Sequence, residues 1–416
     1  MLSKTYYKFF ERLAFSLLFI ISIRRFIRGV QISLEPGLFR NVIVEVILWV
    51  LIVLIFLWFM KHNGEFNNFL SLFRLNWPIL VFMGIAILSL LWSVNFPVTL
   101  YKVFVLIAAT TSAAYIGVSN DVGDFLNKLA WFWGIVAAIS FYAGIAYPEF
   151  GTHIGHPYFG AWRGIFWNRG GLGSFIVFAN LVFLFQVARF LKNPVLLIVN
   201  SIFYLLTFAL VILTKSATAV ILLVVLHGAF VLAVLWMKFR DKLTKWHYLA
   251  FGALALVLSF VVLTNLEFIF GLLGRETNLT GRVPMWEYLL QDVFVQKPIL
   301  GFGFSTIWDY NNFRFYMQNI VGWPYPVLIA DNGFIDLLLN LGVVGELSFL
   351  AVFVLMFVRA FRYALQRGDV LKFFPLLLMV YALVVNLSLS RMFEIEFFVW
   401  LLVASTLFIT TPRSAA

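Results

Sequence analysis

The sequence predicts an all-α polytopic membrane protein with about twelve transmembrane helices and one long outward-facing loop containing short helices. Of its 416 residues, 63% are hydrophobic and 12% are charged, whereas soluble domains carry about 25% charged residues. The apolar residues come in runs of roughly 20, the length of a membrane-spanning helix. A transmembrane barrel would instead show alternating segments of about ten residues. The chain has no cysteine, which excludes disulfides, thiolate catalysis and cysteine-ligated metals.

The apolar runs predict the individual spans. In chain order these are residues 10–30, 42–60, 77–93, 99–118, 126–147, 171–188, 194–213, 217–237, 247–267, 331–358, 373–389 and 394–411. Basic residues precede the first run, as in a secretory signal peptide. Three arginines (Arg24, Arg25 and Arg28) follow the apolar residues that begin at Leu13, and no small-residue cleavage site is present, so a retained first helix is predicted.

The distribution of basic residues predicts the orientation. Cytoplasmic loops of membrane proteins are enriched in Lys and Arg, and the short connections 238–245 and 359–372 are dense in them. The N-terminus is therefore predicted inside, and the net charge of +11 is largely explained by these loops. No basic block lies on a soluble domain, so nucleic-acid binding is not expected. The rule does not account for Arg24, Arg25, Arg28 and Arg40.

One segment is long enough to fold outside the membrane, and it divides the chain into three parts. Residues 1–267 hold nine spans, residues 268–330 form the loop, and residues 331–416 hold three spans. Within the loop, residues 283–295 have helical periodicity, with Thr280 as a candidate N-cap and Pro298 beyond the end. Residues 313–320 predict a second short helix.

The first constellation of polar residues lies before the sixth span, in residues 153–173. Arg163 and Arg169 stand there among several glycines and beside Trp162. Guanidinium groups bind phosphate bidentately, although aromatic residues at this depth are also ordinary interface residues. His153 and His156 suggest a metal, but no third ligand is near, so no metal is expected.

The second constellation brackets the long loop. Arg282 precedes the first short helix, and Asp331 and Asn332 open the tenth span; Asp336 follows one turn later. A carboxylate entering a membrane helix costs a few kcal/mol unless it is paired or faces water, although an N-cap role for Asp331 is the simpler alternative. Lys215, on the turn before the eighth span, adds a positive charge. In the segment 298–304 the glycines indicate tight packing, because no βαβ pattern surrounds them.

These residues together describe an arginine-rich cavity with aromatic walls and acidic groups at its rim. The arginines suit a diphosphate, the aromatic rings suit sugars, and the apolar bundle suits a polyprenyl tail. The two sets of arginines are predicted to converge.

Three motifs resemble those of the O-antigen ligase and polymerase superfamily, which includes exopolysaccharide repeat-unit polymerases. They are WRGIFWNRGGLG, the pair TGRVPMW and KPILGFGFSTIW, and DNGFIDLLLNLGVVG. The resemblance covers about residues 158–350. It implies outward arginines that hold a lipid diphosphate, here Arg163, Arg169 and Arg282. Three positions depart from the family pattern: Asp331 replaces a histidine, Gly170 an asparagine and Ala217 a basic residue.

The resemblance implies a metal-independent, cofactor-free inverting glycosyltransferase of the bacterial inner membrane, with its active site facing the periplasm. The expected glycan donor is an undecaprenyl-diphosphate-linked oligosaccharide. The acceptor is another repeat unit in a polymerase, or lipid A core in a ligase, and the changed histidine favours the polymerase. Asp331 and Arg282 are the expected catalytic residues, and Arg163, Arg169, Arg282 and Lys215 the diphosphate ligands. Trp162, Trp286 and Asn332 are the expected sugar or acceptor contacts.

A transporter is the competing class, because twelve helices with intramembrane charges also suit a carrier. Transporters commonly show repeated halves and paired broken helices, and the sequence shows neither.

Overall fold

The computed structural model describes residues 4–28, 38–155, 158–242, 281–310, 312–322, 326–393 and 397–412. These residues fold into helices, and the β-type pairings among them are two isolated bridges. The predicted all-α polytopic fold is confirmed.

The α-helices are numbered here in chain order. They are α1 (Lys4–Ile23), α2 (Leu38–His62), α3 (Phe66–Leu75), α4 (Trp77–Leu88), α5 (Phe96–Ser119), α6 (Val122–Ala146), α7 (Pro148–Gly151), α8 (Arg169–Arg189), α9 (Pro194–Leu213), α10 (Ala217–Phe239), α11 (Arg282–Tyr288), α12 (Phe313–Val321), α13 (Gly333–Leu365), α14 (Phe374–Ser388) and α15 (Phe398–Ile409). Shorter turns extend several of them, and α11 continues through Leu289–Val293 and Phe294–Gln296.

Eight helices of the described residues are long and apolar enough to cross a membrane, and they coincide with eight of the predicted spans. A ninth is counted if α3 and α4 form one span, which is bent by 82°. The bend follows from Pro78 near the start of α4, since proline cannot continue the hydrogen bonding of a preceding helix. The predicted span 247–267 lies outside the described residues, so twelve spans stay a prediction.

The first predicted span is wrong at its end. Helix α1 stops at Ile23, and a 3-10 turn, Arg24–Phe26, follows. Arg24 forms a buried ion pair with Glu45 of α2, which accounts for one of the arginines that break the charge rule. A buried arginine is tolerated when a carboxylate compensates its charge.

The interior is built around α8 and α15, whose side chains are almost all buried, whereas α9 and α10 leave large apolar side chains exposed. In lipid such exposure costs little, because association of membrane helices depends on close packing rather than on removal of apolar surface from water. Gly117 of α5 shows this packing, since a Cβ there would overlap Phe408 of α15.

Helix α13 is broken at Gly342, whose backbone has φ 62° and ψ −167°. The segment 298–304 docks into the break. Val343 N–H donates to the Pro298 carbonyl at 2.9 Å, and Gly303 N–H donates to the Asn340 carbonyl at 2.8 Å. A Cβ at Gly342 would overlap the Ile299 carbonyl. The backbone groups freed by the break are thus satisfied inside the protein, as an irregular stretch within a membrane helix requires.

Two of the sequence motifs therefore form one structural unit. Gly301 of KPILGFGF lies against the backbone of Leu339 and Asn340, and Gly342 of LGVVG lies against Ile299; Gly301 also has a positive φ of 66°. The prediction that these glycines serve tight packing is confirmed. The joint fixes the segment 281–310 on the end of α13.

Candidate functional site

Several helix ends meet at one end of the bundle. They are the last turns of α1, α6, α9 and α14, the first turns of α8, α10 and α13, and the segment 147–168. Hydrogen bonds or close packing join them, through the pairs Trp167–Phe26, Trp162–Leu213, Tyr381–Ser174 and Asn386–Gly333. All the candidate site residues lie at this end.

Arg163 is held by the carbonyl groups that end α7. Its Nε donates to the Phe150 carbonyl at 3.0 Å and its Nη2 to the Glu149 carbonyl at 3.0 Å. Its backbone N–H donates to the Gly151 carbonyl at 2.8 Å. These bonds fix the direction of the guanidinium while its Nη1 stays unbonded within the described part of the chain.

Arg28 bonds the same two carbonyl groups. Its Nη1 lies 3.2 Å from the Glu149 oxygen and 3.1 Å from the Phe150 oxygen. Burial, and then the positive charge of Arg28, lower the pKa of Arg163. Arginine is nonetheless charged at any physiological pH, so two positive charges lie side by side.

Arg169 opens α8, just after Asn168, whose side chain caps the helix by accepting from Gly171 N–H at 2.6 Å. Its Nη1 donates to the Lys215 carbonyl at 2.6 Å, and its guanidinium lies 3.9 Å from the centre of the Tyr158 ring. Lys215 takes a positive φ of 51° on the turn before α10.

His153 joins this cluster as a neutral side chain. Burial, followed by the charges of Arg163, Arg169 and Arg28, lowers the pKa of His153 below its usual 6.5. Its Nε2 accepts from the Arg169 N–H at 3.1 Å, which a neutral imidazole can do. His156, the other histidine of the motif, lies outside the described residues.

We call Arg28, Arg163, Arg169 and Lys215 the cationic cluster. Across the described ranges none of the four forms an ion pair with a carboxylate. Their partners are carbonyl oxygens, two aromatic rings and one imidazole. Such a cluster favours an anionic ligand, because a bound anion would offset the repulsion of like charges.

Trp162 lies next to this cluster and packs onto α6. Its ring is 5.7 Å from the Phe141 ring, and a Cβ at Gly144 would overlap it. The packing explains its position, and its contact with a sugar stays a prediction.

The second group of residues joins the long loop to the start of α13. Arg282 forms an ion pair with Asp331, with its Nε at 2.9 Å and its Nη2 at 2.8 Å from the same carboxylate oxygen. Trp286 Nε1 donates to the Ala330 carbonyl at 2.7 Å. We call Arg282 and Asp331 the ion-pair cluster.

Asn332, rather than Asp331, caps α13. Its side-chain oxygen accepts from Phe334 N–H at 3.1 Å and Ile335 N–H at 3.4 Å. Asp331 itself has a positive φ of 52°, a conformation that is uncommon outside glycine. The alternative that Asp331 is only a helix cap is therefore wrong, and its carboxylate is directed to Arg282. Contacts of Trp286 and Asn332 with a sugar or acceptor stay predictions.

Asp336 has a structural role that the sequence did not indicate. It is fully buried and accepts from Ala330 N–H at 3.1 Å, from Trp308 Nε1 at 2.6 Å and from the Ser390 hydroxyl. These donors satisfy the carboxyl group, as a polar group removed from water requires. Asp336 thus fixes the segment that carries Asp331.

The segment 386–393 lies between the two clusters. Ser390 bonds Asp336 on one side, while the guanidinium of the buried Arg391 lies 3.9 Å from the Phe26 ring and 5.7 Å from the Phe175 ring on the other. Among the described residues no hydrogen bond or ion pair joins Arg163 or Arg169 directly to Arg282 or Asp331. Convergence of the two sets of arginines stays a prediction. The sequence reasoning did not include Arg391 among the candidate residues. Its position as a lone arginine between two apolar spans is the feature that could have indicated it.

A long-spanned helical bundle with charged groups at one end defines a multi-pass membrane protein. Residues 202–350 match the model of the O-antigen ligase family. The match supports the resemblance to the O-antigen ligase superfamily over the two later groups of motifs, and the first motif lies outside it. It contains Arg282, Asp331 and the break in α13, and it begins after Arg163 and Arg169. It supports a membrane function of the O-antigen ligase or polymerase type. No curated protein sequence matches the chain.

Proposed function

We propose that this protein is a membrane glycosyltransferase of surface-polysaccharide assembly, which polymerises undecaprenyl-diphosphate-linked repeat units on the periplasmic face of the inner membrane. The observation that carries the proposal is the Arg282–Asp331 ion pair at the start of α13, inside the stretch that matches the O-antigen ligase family. The cationic cluster at the same end of the bundle supplies the complementary charge for the diphosphate.

The reaction is a single displacement at the anomeric carbon of the glycan donor. The acceptor hydroxyl oxygen forms the new glycosidic bond, the bond between the anomeric carbon and the diphosphate oxygen breaks, and undecaprenyl diphosphate leaves with the bonding electron pair. One displacement inverts the anomeric centre. The acceptor proton passes to the Asp331 carboxylate and then to water, as general-base catalysis requires.

The arginines act on the charge that moves during this step. Negative charge builds on the departing diphosphate oxygen, and a fixed guanidinium there lowers the energy of the transition state. Arg282 holds Asp331 through its Nε and Nη2, so it would fix the base on the acceptor side of the anomeric carbon, opposite the departing diphosphate. Arg163, Arg169 and Lys215 would hold the diphosphate before and after the transfer.

Transfer to lipid A core instead of a repeat unit is the ligase alternative, and it uses the same residues. Asp331 in place of the family's histidine favours the polymerase. The broken α13 does not favour a carrier, because its break is filled by the segment 298–304 of the same chain.

The test uses the full-length protein in detergent with a defined undecaprenyl-diphosphate repeat unit. A ladder of glycan oligomers on undecaprenyl diphosphate is expected, unchanged by EDTA and absent with Asp331→Asn. A single transfer to added lipid A core without a ladder would replace the polymerase by the ligase. Movement of the glycan lipid across vesicles without new glycosidic bonds would overturn both in favour of a carrier.

A further inference from the structure

The arginine at the end of the first helix belongs to the same cluster as the arginines of the segment 147–168. The short stretch 26–28 pairs with residues 165–167, because Arg28 N–H donates to the Ile165 carbonyl at 2.7 Å and Trp167 N–H to the Phe26 carbonyl at 2.9 Å. An antiparallel bridge joins Ile27 and Phe166. This pairing fixes Arg28 between Arg163 and the start of α8.

Two guanidinium groups then share one pair of carbonyl oxygens. Arg28 uses only Nη1 on the Glu149 and Phe150 carbonyls, and Arg163 uses Nε and Nη2 on the same two. Arg28 also lies 5.0 Å from the centre of the Phe150 ring. Each guanidinium therefore keeps N–H groups that bond no protein atom of the described residues.

The arrangement is unfavourable without a further partner. Like charges at short range repel, and in the parts of the chain that are described neither arginine has a carboxylate partner. Both side chains are only partly buried, so a ligand can reach the remaining N–H groups. Two planar guanidiniums with free N–H groups match an anion that has several oxygen atoms on adjacent phosphorus atoms.

We propose that Arg28, supplied by the first helix, is a further binding residue for the diphosphate group of the glycan donor, beside Arg163. The inference rests on the proposed function for the identity of the glycan donor, but not for the binding of a diphosphate. Carbonyl oxygens hold the two guanidiniums in place before the lipid arrives, so little side-chain entropy is lost on binding.

The alternative source of the same chemistry is the head group of an anionic phospholipid, which offers one phosphate rather than two. A simpler role is that Arg28 only ties α1 to the loop. The experiment has to distinguish a diphosphate site, a phospholipid site and a purely structural role of Arg28.

The first measurement is direct binding of farnesyl diphosphate and inorganic pyrophosphate to the full-length protein in detergent, compared with phosphatidylglycerol. In Arg28→Gln the dissociation constant for both diphosphates is expected to rise about ten- to hundredfold, because a charge-assisted contact contributes about 1.5–3 kcal/mol. Arg28→Lys is expected to lie between wild type and Arg28→Gln. Arg367→Gln, an exposed arginine 85% accessible at its side chain, is the control and should bind as wild type.

The second measurement is transfer with the defined repeat unit. KM for the glycan donor is expected to rise about ten- to hundredfold in Arg28→Gln and less in Arg28→Lys, while kcat changes little in both, which a merely structural role would not produce. Unchanged diphosphate binding in folded Arg28→Lys and Arg28→Gln would overturn the inference. So would an equal loss of phosphatidylglycerol binding, which would assign the site to phospholipid. If Arg28→Gln does not fold, Arg28→Lys decides. If the wild-type protein binds diphosphates through Arg28 but transfers no sugar, the proposed function is wrong and the diphosphate site is still supported.

Discussion

The two charged clusters of this protein are built in opposite ways. The cationic cluster carries four positive side chains whose partners are neutral, whereas in the ion-pair cluster one arginine is bound at 2.8 Å to one carboxylate. The first is suited to hold a ligand that brings its own negative charge. The second is electrically balanced at rest and suited to charge that moves during a reaction. Substitutions in the cationic cluster are therefore expected to change KM, and substitutions in the ion-pair cluster to change kcat.

The largest effect is expected from Asp331→Asn. The amide keeps the shape of the side chain but cannot accept the acceptor proton, so kcat should fall about 10²–10⁴-fold with little change in KM for the glycan donor. Initial rates of polymer formation measure this. Asp309→Asn, in the same loop and paired with Arg314, is the control. Wild-type kcat in Asp331→Asn would remove Asp331 from the chemistry.

Arg282→Lys should rank next. Lysine keeps the charge but cannot place two N–H groups on the Asp331 oxygen, so kcat should fall about 10²-fold while expression and thermal stability stay near wild type. Arg314→Lys, which changes another paired arginine of the loop, should keep most of the activity. Equal losses in both variants would show that the loop depends on arginine for folding rather than for catalysis.

Arg163→Lys tests the cationic cluster. The bidentate hold on the diphosphate is lost, so KM for the glycan donor should rise about tenfold with kcat nearly constant. Titration of initial rate against glycan-donor concentration gives both constants. A fall in kcat alone would show that the cationic cluster takes part in the chemical step, and the contrast between the clusters would be lost.

Gly342→Ala tests the joint that positions the ion-pair cluster. The added Cβ would meet the Ile299 carbonyl at a φ of 62°, so a loss of about 1–3 kcal/mol in stability and a lower Tm are expected. Gly84→Ala is the matched control, since nothing lies within 4 Å of its Cβ position and alanine favours a helix. An equal or higher Tm for Gly342→Ala would show that the break in α13 is not required.

The smallest effect is expected from His153, as a loss of thermal stability at low pH. The folded pKa of His153 lies below the usual 6.5 because of its burial and its arginine neighbours. The unfolded chain therefore takes up the proton first, so the stabilisation from His153 is complete above about pH 6.5 and is lost as the pH falls through the folded pKa. Thermal unfolding at pH 7.5 and 5.5 should show a smaller difference for His153→Gln than for wild type. An identical difference would mean that other groups cause the acid sensitivity.

Much of the fold was predictable because a membrane-spanning helix is visible in the sequence as a run of apolar residues. Apolar runs predicted eight spans that coincide with long apolar helices, and periodicity predicted both short helices of the loop. The break in α13 was less visible, because Gly342 is one glycine among several. The packing that demands it comes from Ile299, more than forty residues away in sequence.

The residues of the candidate site were predictable only where they belong to a recognisable sequence motif. Motif order brought Arg282 and Asp331 into one hypothesis, and the structure pairs them. Arg28 was noticed only as a violation of the charge rule. Its partners are the carbonyls of Glu149 and Phe150, and a bond to a backbone carbonyl leaves no trace in the partner's side chain. Asp331 and Asn332 could not be ranked as helix caps, since the ranking depends on the φ angle of each residue.

The joint at Gly342 also decides what moves together. Two backbone hydrogen bonds fasten the turns of α13 before the break to the segment 298–304, and two more fasten the first residues after it. The Asn340 side chain adds bonds to the N–H groups of Thr306 and Ile307. Mechanically, the outermost turns of this helix are part of the loop, although the sequence assigns them to a span. Because the loop is bonded to this helix on both sides of Gly342, a force that tilts the loop would carry Asp331 and Arg282 together and would also act on the turns beyond the break.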